Sequence, residues 1–353
     1  MIEESMKRLI QTALVCLTGL VMLASCGQDV GETSLFGTAA TSVVSRTAAV
    51  STAAASEVTT RTTVTEPTET VTTTVTTTAE TTTVTEAPPP EVVIDGPYCS
   101  AALLLCDDDG SVKYSKAADE QISLASITKL MTASVALKYL SPETELTVGS
   151  EIGLVKPEST MAYIHYGAKI KLRDMIYAML LPSGNDAAYT VAVCTARQLT
   201  PGGGLSDTEA VELFVGLMNG MAEELGMNDS HFANPEGWDD YQHYTTLNDL
   251  MKLVKYAMSQ PEIREAVGTH QQIYYYPDGT YNVWTNTNLF LDPSTGFYDP
   301  GCIGIKTGTT AAAGCCLVSA FAKDGKTYLC AVMGCYENLD RFTLTRRLID
   351  AYT

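Results

Sequence analysis

The chain has 353 residues, with 22 Lys and Arg against 41 Asp and Glu, for a formal charge of −19. That balance leaves no basic patch for phosphates and argues against a nucleic-acid partner. With the non-globular segments set aside, what remains is long enough for one large domain or two intimately packed lobes.

In chain order, the first element is a targeting signal. Lys7 and Arg8 precede an apolar run from Leu9 to Leu23, followed by Ala24-Ser25-Cys26-Gly27, the order of a bacterial export signal. The run is about 15 residues, short of the roughly 20 that a bilayer-spanning helix needs. The small residues before Cys26 resemble a lipoprotein cleavage box. That resemblance implies a signal peptide over 1–25, lipid on the Cys26 sulfur, a membrane anchor, and export to the outer face of the cytoplasmic membrane or the cell wall. Residues 26–90 are rich in Thr, Ser, Ala, Val and Glu and end in Pro88-Pro89-Pro90; without large apolar side chains or periodicity they read as a disordered tether. Such a coil spans about 45 Å on average and near 200 Å when extended.

Residues 91–353 carry the globular pattern. Tyr98 to Cys106 is apolar and bounded by Asp107-Asp108-Asp109-Gly110, with extended character resuming from Ser111 to Lys116, which is a strand hairpin. Ile127 to Leu140 lacks Gly and Pro and suits a buried helix ending before Ser141-Pro142. A helix over Leu172 to Leu181 breaks at Pro182-Ser183-Gly184, and another starts near Asp186. Val211, Phe214, Val215, Met218, Met221 and Leu225 recur at helical spacing between Ser206 and Gly226. The logic repeats from Thr246 to Ser259, with Thr246 as cap and Asp249 in the capping position. Extended runs then take over: 273–276 and 281–284 flank Pro277-Asp278-Gly279-Thr280, and 302–307, 314–322 and 327–336 follow. Phe342, Thr345, Ile349 and Tyr352 mark one face of a C-terminal helix. Strands at both ends with helices between them predict an α+β domain, its antiparallel sheet completed by distant parts of the chain and a helical lobe inserted within it.

Eight cysteines lie beyond the leader, at 99, 106, 194, 302, 315, 316, 330 and 335, without C-x-x-C spacing. Zinc is not indicated, while buried thiols and disulfides stay open alternatives. The histidines at 165, 231, 243 and 270 show neither metal-ligand spacing nor a triad with a nucleophile elbow, and read as surface or structural residues.

Three short motifs occur in order: Ser126-Ile127-Thr128-Lys129, Ser183-Gly184-Asn185 and Lys306-Thr307-Gly308. Each alone is weak, since a Ser-x-x-Lys match is expected about once by chance in a chain this long. Together they are the signature of penicillin-binding proteins and class A β-lactamases. Their flanks, with Phe232-Ala233-Asn234-Pro235-Glu236-Gly237, resemble the D-alanyl-D-alanine carboxypeptidases across most of residues 91–353. Ser126 and Lys129, three apart at a helix start, share a face, so that a desolvated amine can take the hydroxyl proton.

The resemblance implies a β-lactamase/transpeptidase-like fold with a five-stranded antiparallel sheet flanked by helices. It also implies a serine hydrolase acting on peptidoglycan stem peptides that end in D-Ala-D-Ala, inhibited covalently by β-lactams, with no metal or cofactor. By the same resemblance Ser126 is the nucleophile and Lys129 the base, its pKa lowered by burial or by Lys306. Ser183 relays a proton to the leaving amine and Asn185 holds the substrate backbone. Lys306 and Thr307 attract the terminal carboxylate, Gly308 permits close approach, and the amides of Ser126 and Thr309 form the oxyanion hole. Other readings stay open: a D,D-endopeptidase, a non-catalytic wall-binding or β-lactam-sensing module, or a class A-like β-lactamase. That last class usually has Asp where Gly184 stands and carries a glutamate on a loop that activates the deacylating water; Glu236 is a candidate for it by residue type alone.

Overall fold

A computed structural model describes residues 99–353; the expected signal segment, the expected lipidation at Cys26 and the expected tether to Pro90 lie outside the described residues. The architecture is the α+β arrangement foreseen. A five-stranded sheet runs in the order β2-β1-β9-β8-β7, built from β1 (Ala101–Cys106), β2 (Val112–Lys116), β7 (Cys302–Thr310), β8 (Gly314–Lys323) and β9 (Lys326–Cys335). All its pairings are antiparallel, and β1 pairs with β9 from Ala101↔Met333 to Cys106↔Tyr328. The two ends of the domain therefore close one sheet.

The continuous apolar run of β1 follows from burial on both faces. Ala101, Leu103 and Leu105 face the large helical core, whereas Ala102, Leu104 and Cys106 face a second core with Phe342, Leu348 and Ile349 of the C-terminal helix, Asp340–Tyr352. Alternate residues of a strand point to opposite faces, so a sheet covered on both sides needs apolar residues at every position.

The helical lobe contains α1 (Lys129–Tyr139), α2 (Leu172–Leu180), α3 (Asn185–Leu199), α4 (Asp207–Glu224) and α5 (Leu247–Ser259). The first eight residues of α1 are all buried. It is thus a central helix, buried on every side over these turns, Lys129, Thr132 and Ser134 included, and shows little amphipathic contrast. Ser206 and Glu209 form the reciprocal capping box of α4. At α5 the cap is one-sided: Thr246 Oγ1 accepts from Asp249 N, while the Asp249 carboxylate accepts from Asp229 N and Ser230 Oγ. An α-helix over Pro261–Gly268, here α6, and a ladder of two three-residue strands, β3 (Glu145–Thr147) with β4 (Lys169–Lys171), add to the elements read from sequence. The tyrosine-rich hairpin is β5 (Gln271–Tyr275) with β6 (Tyr281–Thr285); the C-terminal helix is α7.

The eight cysteines are free thiols, and no disulfide forms among the described residues. No helix of the described residues is long and apolar enough to cross a membrane.

Candidate active site

The chain enters α1 through a 3-10 turn, Ala125–Thr128, so the helix expected from Ile127 begins as a tighter coil. The i+3 geometry of that turn sets Lys129 beside Ser126. Lys129 is fully buried, and its Nζ donates to Ser126 Oγ at 2.9 Å and to the Glu236 carbonyl oxygen at 2.8 Å. Burial lowers its pKa from 10.5 to about 7, against the opposing fields of Glu236 and Asp186. Desolvation of the ammonium, not the second lysine, is the leading cause. An amine close to neutrality within hydrogen-bond reach of a serine hydroxyl can accept its proton.

The segment 233–237 is strapped across this turn. Thr132 Oγ1 donates to Pro235 O at 2.6 Å. His243 Nδ1 accepts from Ala233 N at 3.0 Å, and its Nε2 meets Thr128 Oγ1 at 2.7 Å. Thr128 Oγ1 in turn donates to Ala125 O at 2.8 Å. These contacts assign the ring proton to Nε2, and burial holds the imidazole neutral with its pKa down to about 4. Gly237 sits at φ +94°, and a Cβ there would lie 1.8 Å from Ala125 O. Only glycine lets this strap lie against the serine turn.

The break between α2 and α3 supplies the second motif. Ser183 is buried and holds φ +66°. A Cβ on Gly184 would meet Ala162 Cβ at 2.5 Å and Ala178 O at 2.8 Å. Asn185 opens α3, donates its N–H to Thr160 O at 2.8 Å, and is 7% exposed. Next to it, Asp186 accepts from Ala162 N at 2.8 Å and Ile164 N at 3.1 Å, pinning the loop that forms the cleft rim. Ser183 Oγ makes no hydrogen bond to Lys129, whose Nζ is engaged by Ser126 and the Glu236 carbonyl.

The third motif lies on edge strand β7, directly opposite. A Cβ on Gly308 would stand 2.9 Å from both Ser126 N and Ala125 Cβ, so the strand backbone and the serine turn touch there. Lys306 is buried and donates to Thr307 O at 2.8 Å. Burial, then Lys129 and Arg341, hold its pKa well below 10.5. The Thr307 and Thr287 hydroxyls bond at 2.5 Å. Arg341 of α7 was not foreseen. Its Nη1 donates to Gly308 O at 3.0 Å, Thr309 Oγ1 at 3.2 Å and Cys316 O at 3.0 Å, tying β7 from below.

A cleft of about 200 Å³ is lined among others by Ser126 of the first motif, Asn185 of the second, and Thr309, which follows the third on β7, together with Thr160, Glu236 and Trp238; Lys129, Ser183, Lys306, Thr307 and Gly308 do not line it, and Gly308 reaches the serine turn through the backbone of β7. Glu236 was foreseen only by residue type. The structure seals it 1% exposed, with Oε1 accepting from the Tyr189 hydroxyl at 3.0 Å and its pKa raised by burial.

A family described as D-alanyl-D-alanine carboxypeptidase matches residues 85–336. A D-alanyl-D-alanine carboxypeptidase of Streptomyces sp. strain K15 is 32% identical over 233 residues, 64% of this chain and 76% of the relative. The carboxypeptidase DacF of Bacillus subtilis is 27% identical over 255 residues, 71% of this chain; the match spans only 61% of that longer relative. The crystal structure of the Streptomyces K15 DD-transpeptidase superposes with a TM-score of 0.65 at 29% identity, covering 73% of this chain and 97% of that one.

Proposed function

Since the chain belongs to the D-alanyl-D-alanine carboxypeptidase family of serine hydrolases, we propose that residues 91–353 remove the terminal D-alanine from peptidoglycan stem peptides through an ester on Ser126. The observation that carries the assignment is the 2.9 Å contact between Lys129 Nζ and Ser126 Oγ, with the amine near neutrality. Lys129 takes the hydroxyl proton while Ser126 Oγ attacks the penultimate D-Ala carbonyl. The proton then passes to the departing D-alanine amine, with Ser183 as relay once a substrate draws its hydroxyl into line.

Lys306 and Thr307 bind the terminal carboxylate, and Asn185 holds the peptide backbone. The amides of Ser126 and Thr309 receive the oxyanion; the closeness of Gly308 to Ser126 N supports this pairing of strand and turn. The exposed edge of β7 pairs with the extended substrate. A β-lactam is attacked by the same hydroxyl and stays as an ester. Hydrolysis of the stem peptide needs no cofactor.

The N-terminal part belongs to the same proposal: a signal peptide over 1–25, a lipid on Cys26 and a tether over 26–90 would let the enzyme work outside the cytoplasm within reach of the wall. Loss of labelled fatty acid in Cys26→Ala tests the anchor. For the activity, the full chain is incubated with a pentapeptide ending in D-Ala-D-Ala. Free D-alanine is expected from the wild type and none from Ser126→Ala. Peptide binding without release, equal in both forms, would refute the hydrolase reading.

A further inference from the structure

The contacts assigned along β7 give the substrate a direction. With the terminal carboxylate at Lys306 and Thr307 and the scissile carbonyl at the Thr309 amide, an extended peptide pairing with this strand carries its amino-terminal part past Thr310 and Ala311. The cleft opens on that side: Ser126, Thr309, Thr310 and Ala311 line it, whereas Lys306 and Thr307 do not. Its volume of about 200 Å³ would hold several waters at roughly 30 Å³ each, more than the methyl group of one D-alanine fills. The residue that precedes D-Ala-D-Ala is the next part of the substrate to arrive there.

Trp238 shares that lining. Its backbone is bracketed by the side chain of Asn234, whose Oδ1 accepts from Trp238 N at 3.0 Å and whose Nδ2 donates to Trp238 O at 2.9 Å. Asp239 Oδ2 accepts from Ala312 N at 2.9 Å and ties the following residue to the turn that leaves β7. The preceding residue, Gly237, lies against Ala125 O, so Trp238 starts one Cα spacing of about 3.8 Å beyond the serine turn. An indole there reaches a side chain one residue upstream of the attacked D-alanine. The residue is 40% exposed, which leaves a flat apolar face open to a ligand. The charged residues lining the cleft are Glu158, Glu236 and Asp239, all carboxylates. Lys156, whose field reaches Glu236, is exposed and stands outside the lining. An indole in the company of carboxylates suits a long unbranched chain, its methylenes packed on the ring and its terminal ammonium drawn to the ring face and the acids. A side chain ending in a carboxylate is repelled there.

We propose that Trp238 is the specificity residue for the stem-peptide position preceding D-Ala-D-Ala, selecting a long side chain that ends in a primary amine over short or acidic ones. The inference rests on the Ser126 hydrolase reading and deepens it, naming the upstream subsite of the same cleft.

The test compares substrates within one preparation of the full chain. Wild type, Trp238→Ala and Trp238→Phe are given Nα-acetylated tripeptides in which L-Lys, L-Ala or L-Glu precedes D-Ala-D-Ala, and D-alanine release is followed. Wild type is expected to favour the lysyl over the alanyl peptide about 10-fold or more in kcat/KM, with the glutamyl peptide the poorest. Trp238→Ala should bring the lysyl-to-alanyl ratio to within about threefold of unity, the share left to the exposed carboxylates, and Trp238→Phe should keep part of it. Loss of folded protein cancels from this ratio. A second readout needs no change at residue 238. The chain has two tryptophans and Trp284 is buried, so acrylamide quenching of indole fluorescence reports on Trp238. In Ser126→Ala the lysyl peptide should shield it more than the alanyl peptide does. Similar release from all three peptides by wild type, an unchanged ratio in Trp238→Ala, or quenching indifferent to the lysyl peptide above its wild-type KM would each overturn the subsite. No D-alanine from any peptide would overturn the Ser126 reading, and the subsite with it.

Discussion

Replacing Lys129 by methionine separates what this residue does for catalysis from what it costs the fold. The side chain is fully buried and its pKa falls from 10.5 to about 7. At about 1.36 kcal/mol per pKa unit, holding a protonated lysine there disfavours the native state by roughly 5 kcal/mol. The direction with pH follows from the depressed value. Below pH 7 both folded and unfolded chains carry the proton, and the full cost is present. Above it the folded chain has shed a proton that the unfolded chain keeps until 10.5, so stability climbs with pH. One lysine contributes about 2.7 kcal/mol between pH 7 and 9.

The comparison must be a difference between variant and wild type, because the buried thiols pull the other way. Cys302, Cys316 and Cys330 are pushed up to about 12, and that contribution cancels between the two proteins. Methionine matches the volume and loses the bonds to Ser126 Oγ and Glu236 O, the latter a debit of about 1–3 kcal/mol. Lys129→Met should therefore be most favoured relative to wild type below pH 7 and lose that advantage by pH 9, while forming no penicillin adduct at any pH. Denaturant unfolding at a series of pH values, with adduct formation by mass, is the assay. Parallel stability curves for the two proteins would refute the buried neutral amine, and with it the assignment of Lys129 as the base.

Three further outcomes follow from the same geometry. Gly308→Ala drives a methyl against Ser126 N and Ala125 Cβ, both 2.9 Å from the built position; acylation by labelled penicillin should drop about 10²-fold, the scale of a 1 Å misplacement, with the far-UV spectrum unchanged. Arg341→Leu orphans the carbonyls of Gly308 and Cys316, a loss of about 2 kcal/mol or more that should appear as a lowered Tm together with slower acylation. His243 is neutral in the fold down to about pH 4 but ordinarily titrates at 6.5. Its share of stability is therefore lost as pH falls from 6.5 toward 4, by roughly 3 kcal/mol, and His243→Gln should flatten that part of the stability curve relative to wild type.

Local chemistry was legible where it is local. Ser126 and Lys129 are three residues apart, so any helical turn brings them together, and turn residues announced the hairpins at 107–110 and 277–280. The meeting of Gly308 with Ser126 depends on β7 lying at the sheet edge against the serine turn, which the order of motifs foretold only through family likeness. What escaped has physical reasons. Strands of three residues are too short for a period of two to register. The helix at Pro261–Gly268 does carry Ile263, Ala266 and Val267 on one face behind a proline at its first position, a readable signal that fell between two stronger ones. Nothing in the sequence marked Arg341, and Glu236 stood out by residue type alone, since charged residues are seldom buried; only the packed structure shows that both are sealed and hydrogen-bonded.

Two buried lysines side by side pose one more question. In the proposed reaction Lys129 is neutral to act and Lys306 charged to attract a carboxylate, yet burial and the proximity of Lys129 hold Lys306 well below 10.5. Two ammonium groups in one desolvated pocket repel, so the pair cannot both hold a proton cheaply. A substrate carboxylate arriving beside Lys306 supplies the missing counter-charge and raises its proton affinity. Binding is then coupled to proton uptake, and the second positive charge keeps Lys129 deprotonated when its base strength is needed. Calorimetry of Ser126→Ala with a D-Ala-D-Ala peptide in buffers of different ionisation enthalpy should report uptake approaching one proton per peptide above the free value of Lys306, and affinity falling as pH rises. A peptide with an amidated C-terminus should show neither effect. If both peptides bind with the same buffer independence, Lys306 is charged before the substrate arrives, and the neutrality of Lys129 must be explained by burial alone.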